Sequence, residues 1–151
     1  MKTGYKVFDV MTTNPVMIKE TNTVKEAAKK MRDESVGSLL VHDDNHDFKG
    51  VLTEKDLVVK LIAMGENPDK VKAGEKMTSE DIVTVSPETD IYDALVYMKN
   101  SEVRRLPVMK DGELEGIITL KDILAIEPGL FDLVAENIRL RESERKMRKI
   151  D

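Results

Sequence analysis

Cysteine is absent from the 151 residues. Disulfide frameworks, cysteine-ligated zinc and thiol catalysis are thereby excluded. No apolar run approaches the ~20 residues needed to cross a bilayer. Met1-Lys2-Thr3-Gly4-Tyr5 leads straight into polar sequence without a signal-peptide core, so a cytoplasmic protein with no membrane partner is expected. Phosphate loops of the P-loop or GxGxxG type are missing. No serine stands with a histidine in a recognisable nucleophile context, so an enzyme is the least expected reading. The two histidines, His42 and His46, sit among Asp43, Asp44 and Asp47. That polar run joins two strand-like segments and reads as a hairpin loop, not as a metal site.

What is present is globular in balance, with 40% hydrophobic and 35% charged residues. A chain of this length buries about 68–70% of its unfolded surface and folds without metal or disulfide. The net charge of −5 is unevenly spread. Residues 139–151 hold six basic and three acidic residues, a net of +3, which leaves −8 on the rest. So acidic a body is a poor match for a nucleic-acid backbone, and nucleic acid is not the expected partner.

The chain repeats itself. Met11-Thr12 returns as Met77-Thr78, 66 residues on. The stretch from Thr23 to Met31 aligns with that from Asp90 to Met98 at an offset of 67, and the stretch from Val36 to Val41 with that from Val103 to Val108. Gly50-Val51-Leu52-Thr53-Glu54-Lys55-Asp56-Leu57 returns as Gly116-Ile117-Ile118-Thr119-Leu120-Lys121-Asp122-Ile123 at 66. The one-residue drifts fall in loops, where insertions are tolerated.

Each copy reads β-α-β-β-α. The opening strands are placed at 16–18 and 82–85. Val24, Ala27, Ala28 and Met31, and Ile91, Ala94, Leu95 and Met98, recur at i, i+3, i+4, i+7 and predict one buried helical face each. Thr23 with Glu26, and Asp90 with Asp93, are placed as N-terminal caps. Paired strands follow at 38–42 with 48–52 and at 106–109 with 114–118, the latter joined by the turn signal Asp111-Gly112. A second helix spans 54–63 in one copy and 120–126 in the other. Leu130, Leu133, Val134 and Ile138 form a stripe for one further helix, which runs into the basic tail. The expected divisions are residues 8–66, 67–127 and 128–151. Most of the nine methionines are read as core, with Met11 and Met77 under the opening segments.

The order β-α-β-β-α, the Met-Thr opening and the closing Gly-apolar-apolar-Thr-x-x-Asp resemble the CBS (cystathionine-β-synthase) domain. The resemblance covers residues 8–126 in two complete copies. It implies an α+β fold in which two CBS repeats pack as a pseudo-twofold intramolecular dimer with a ligand cleft on each side, here followed by a C-terminal helix. It also implies a regulatory, allosteric module that binds AMP, ADP, ATP, S-adenosylmethionine or a related adenosyl compound and modulates an effector protein. No cofactor is required beyond that ligand. A homodimer is the expected assembly.

The residues of the candidate clefts fit such a ligand. Thr119-Lys121-Asp122 and Thr53-Lys55-Asp56 fall where a strand hands over to a helix, whose first unpaired N–H groups suit phosphate. An ionised carboxylate only accepts hydrogen bonds, and a ribose offers two adjacent hydroxyl donors. Thr-x-x-Asp is equally a helix-capping signal, and the two roles are compatible. Arg104 and Arg105 replace Gly37-Ser38 of the first copy. On a strand they point to opposite faces, and the resemblance gives basic residues here a phosphate contact. Lys55 and Lys121 resemble secondary phosphate contacts. The resemblance also makes Val83 and Val103 apolar walls beside Asp56, and Val16 and Val36 walls beside Asp122, with Thr12 and Thr78 at the mouths. Two alternatives stay open: a nucleic-acid or membrane-surface adaptor working through the basic C-terminal helix, and a structural pair with degenerate clefts.

Overall fold

A computed structural model describes residues 2–130 and 132. The chain divides into two compact units. One comprises residues 14–82 with 111–114, and the other residues 2–13, 83–110 and 115–130. We call them the first-copy and second-copy units. Residue 131 and residues 133–151, which carry most of the expected last helix and the basic tail, lie outside the described residues.

In the first-copy unit, β1 (Met17–Lys19) runs parallel to β2 (Ser38–His42), which pairs antiparallel with β3 (Phe48–Thr53). Helix α2 (Val24–Glu34) precedes β2. It opens on the expected capping box: Thr23 Oγ1 accepts from Glu26 N, and Glu26 accepts from Thr23 N. Val24, Ala27 and Met31 are buried, but Ala28 is exposed, so the apolar face is narrower than its spacing predicts. The second helix begins with one α turn, α3 (Glu54–Asp56), and continues as a π-helical stretch, Leu57–Ile62. Leu57 and Leu61 turn inward beside Ile18, Leu39 and Leu52.

The second-copy unit contains α5 (Ile91–Ser101), β4 (Arg105–Lys110), β5 (Glu113–Thr119), α6 (Leu120–Ile126) and a 3₁₀ turn, Pro128–Leu130. Ile91, Ala94, Leu95 and Met98 are all buried, as their spacing predicts. Asp111 and Gly112, at the turn between β4 and β5, both have positive φ, the combination that a two-residue hairpin turn requires. Leu130 closes the core of this unit.

The expected opening strand of the second copy shrinks to one parallel bridge, Val85 with Val108. In the first copy, Leu40 N donates to Val16 O. The residue equivalent to Leu40 is Pro107, which has no N–H to give. The bonds Val85 N to Pro107 O and Met109 N to Val85 O are what survives.

Two short helices escape the pattern reading, α1 (Val7–Val10) and α4 (Ala73–Lys76). Each opens one copy and packs in the unit of the other. Val7 N and Phe8 N donate to Thr89 O and Pro87 O; Ala73 N and Gly74 N donate to Asn22 O and Glu20 O. Ile91 N returns a bond to Tyr5 O, and Val24 N one to Val71 O. The Met-Thr pairs that follow complete the exchange. Thr12 and Ile117 trade both backbone bonds, at 2.9 and 3.0 Å, and Thr78 and Val51 do the same. A Cβ on Gly116 would stand 2.3 Å from Thr12 O, and one on Gly50 2.5 Å from Thr78 O. Only glycine permits this approach. The sulfurs of Met11 and Met77 lie over the same glycines.

Asp90 anchors the N-terminal segment. Only 4% exposed, it accepts from Thr3 N, Thr3 Oγ1, Gly4 N and Tyr92 N at 2.9–3.3 Å. Asp93 does not reciprocate, so the cap is Asp90 alone and not the expected Asp90–Asp93 pair. Burial by itself would raise the Asp90 carboxyl, but the hydrogen bonds together outweigh it and hold it below the ordinary aspartate range.

Gly116→Ala is expected to cost about 1–3 kcal/mol in urea unfolding. Gly129→Ala, with open space around its Cβ, should stay within about 0.5 kcal/mol. Equal effects would count against the close-approach argument. A depressed folded-state value means that Asp90 stabilises above its unfolded value of about 3.9 and that this contribution drains away as pH falls through the folded value. The stability gap between the wild type and Asp90→Asn should therefore be widest near neutrality and narrow on acidification. A gap constant from pH 7 to pH 3 would refute this.

Candidate functional site

Both copies carry the same junction of strand end and helix start. At the end of β5, Thr119 Oγ1 accepts from Asp122 N at 3.1 Å, and Asp122 Oδ2 accepts from Thr119 N at 3.0 Å. Thr53 and Asp56 repeat the exchange at 3.2 and 2.9 Å. The capping role is thus present in both copies, and it uses one oxygen of each carboxylate.

The exchanged openings bring Thr12 and Thr78 alongside these junctions, each paired two residues upstream of the capping threonine. Arg104 belongs to the second-copy unit with Asp122. Its carbonyl accepts from Leu120 N at 2.8 Å, which sets it against the first residue of α6. The same bond in the first copy runs from Glu54 N to Gly37 O. Arg104 is exposed and Arg105 half-buried. Lys55 and Lys121 are exposed on the first turns of their helices. Val16 and Val36 pack against the core of the unit that holds Asp56, and Val83 against that of the unit that holds Asp122. Val103 is 38% exposed.

The second carboxylate oxygen separates the copies. Asp56 Oδ1 is 3.1 Å from Lys60 Nζ. The same ammonium donates to Lys76 O at 3.1 Å and comes within 3.5 Å of Thr78 Oγ1. Among the described residues Asp122 Oδ1 has no partner, and the position equivalent to Lys60 is Ile126. Sequence reasoning missed Lys60, although its i+4 spacing from Asp56 on a helix is a readable signal. Glu54 was missed too. Its carboxylate lies over Gly37, 3.2 Å from where a Cβ would start.

The sequence profile of the CBS domain matches residues 7–63 and 73–129. The chain belongs to the CBS domain family. It is a tandem CBS pair of α+β fold, a regulatory module. An uncharacterized protein of Methanopyrus kandleri is 36% identical, over 90% of this chain and 67% of its own length. Hypoxic response protein 1 of Mycobacterium tuberculosis is 34% identical, over 76% of this chain and 80% of its own. A crystal structure of a hypoxic response protein with two coordinated zinc ions aligns with a TM-score of 0.72 at 32% identity, covering 80% of this CBS chain and 98% of that one. A hexameric CBS-CP12 protein from bloom-forming cyanobacteria aligns with a TM-score of 0.70 at 31% identity, covering 80% and 66%. Among the described residues of this CBS pair, no three His, Asp or Glu side chains gather as a metal site would require. No helix among them is long and apolar enough to cross a membrane.

In this CBS pair the Thr119 cap should be separable from any ligand role. Thr119→Ala is expected to lose about 1 kcal/mol in thermal or urea unfolding, and Thr119→Ser much less. If both variants matched the wild type, the cap would contribute nothing to folding.

Proposed function

We propose that this CBS pair is a non-catalytic, cytoplasmic sensor of an adenosine-containing ligand, AMP, ADP, ATP or S-adenosylmethionine, and that it modulates an effector protein. The observation that carries the reading is the open oxygen of Asp122. A ribose presents two adjacent hydroxyl donors. Asp122 Oδ1, without a partner among the described residues, and the spare lone pair of Oδ2 make a matching pair of acceptors. Thr119 and Thr12 would flank the sugar, Arg104 and Arg105 would meet phosphate, and Lys121 would add a second cation. Thr53, Lys55, Asp56 and Thr78 form the corresponding set of the first copy. Signalling requires that the ligand bind one conformation of the protein better than another. A homodimer is the proposed assembly.

A thermal-shift screen against AMP, ADP, ATP, S-adenosylmethionine and NAD tests the reading. A ligand at a hundredfold excess over its Kd stabilises by about 2.7 kcal/mol, which moves the midpoint by several degrees. Asp122→Asn should erase the shift while unfolding at nearly the wild-type temperature. Arg104→Ala and Arg105→Ala should weaken AMP and ATP by roughly tenfold or more, consistent with a lost charge-assisted hydrogen bond, and adenosine much less. No shift with any adenosyl compound, or losses equal for nucleotide and nucleoside, would contradict the proposal.

A further inference from the structure

The two Thr-x-x-Asp junctions share their backbone framework, but their surroundings are opposed. In the first-copy unit Lys60 closes a chain from Asp56 Oδ1 to Lys76 O and Thr78 Oγ1. A single ammonium thus occupies the carboxylate oxygen and the opening-segment hydroxyl that a sugar would need. Asp56 is only 13% exposed with Lys60 against it, and Lys60 itself 41%. Glu54 adds a negative charge over Gly37, where a phosphate would be repelled. In the second-copy unit the corresponding residues are Ile126, Leu120 and Arg104. Ile126 cannot pair with a carboxylate, Leu120 brings no charge, and Arg104 attracts an anion.

We propose that Lys60 is a built-in plug of the first-copy site, so that each chain binds one nucleotide, at Asp122, and the Asp56 site stays closed to ligand. The proposal rests on the adenosine-sensing reading above. It adds an order to the sites: filling the first would require Lys60 to leave Asp56 and to release its hold on the segment around Thr78. Binding there would be coupled to loosening of that opening segment, and binding at Asp122 would not.

Two measurements test the plug and keep it distinguishable from the sensing proposal. The first needs no ligand. Limiting acylation of the full-length protein by an N-hydroxysuccinimide ester at neutral pH, read by peptide mass spectrometry, should label Lys60 at least fivefold more slowly than Lys55. Asp56→Asn should bring Lys60 close to the Lys55 rate. Labelling of Lys60 as fast as Lys55 in the wild type would overturn the plug whatever the protein binds. The second is calorimetry with AMP. The wild type should bind one AMP per chain. Asp122→Asn should weaken that binding more than tenfold. Lys60→Ile combined with Glu54→Leu, which places the second copy's residue types in the first, should raise the stoichiometry to two. Two AMP per wild-type chain, or one site remaining in the Lys60→Ile, Glu54→Leu double variant, would each overturn the proposal. Slow Lys60 labelling with no heat from AMP or any other adenosyl compound would leave the plug standing and sink the sensing reading instead.

Discussion

The contact on which the rest depends is backbone against backbone. Thr12 meets Ile117, and Thr78 meets Val51, in reciprocal pairs of hydrogen bonds that only a neighbouring glycine allows. Each opening segment therefore helps to complete the unit of the other copy. Two residues beyond each bridge the strand ends on a capping threonine, and the helix start fixes the aspartate. The position of the carboxylate follows from the glycine by a short, stiff path. This gives a physical reason for the order Gly-apolar-apolar-Thr-x-x-Asp: close approach, a residue bridged to the opening segment, a buried core residue, cap, acceptor.

Identical framing does not make identical sites. Both aspartates spend one oxygen on the cap. What remains is decided by side chains that the framework leaves free to differ. Lys60 against Ile126, Glu54 against Leu120, and Gly37 against Arg104 set the charge at each junction. The two junctions thus share a cap and differ in the charges around it. In a regulatory pair this matters, because a ligand shifts a conformational balance only by its preference for one state.

Much of this was readable from residues alone. The offset of 66–67 exposed the two copies, and the apolar spacing placed α2 and α5. Asp111-Gly112 marked its turn, and the Thr-x-x-Asp motifs marked both helix starts. What stayed hidden was non-local or subtle. No local pattern says that Val7 docks beside Thr89, or that Asp90 gathers Thr3 and Gly4. Helices of four residues are too short to leave a period. The loss of the strand at 82–85 turns on one missing N–H at Pro107, legible only once its partner is known. Ala28 fits an apolar stripe by type, yet its small side chain tolerates exposure. Lys60 was visible as an i+4 neighbour of Asp56, but its reach to Thr78 depends on the exchanged segments.

The most direct test is a crystal structure of the full chain with AMP. The account predicts the ribose O2′ and O3′ within hydrogen-bonding distance of Asp122, with Lys60 still bonded to Asp56. A nucleotide seated on Asp56 with Lys60 displaced, or one bound away from both carboxylates, would contradict it.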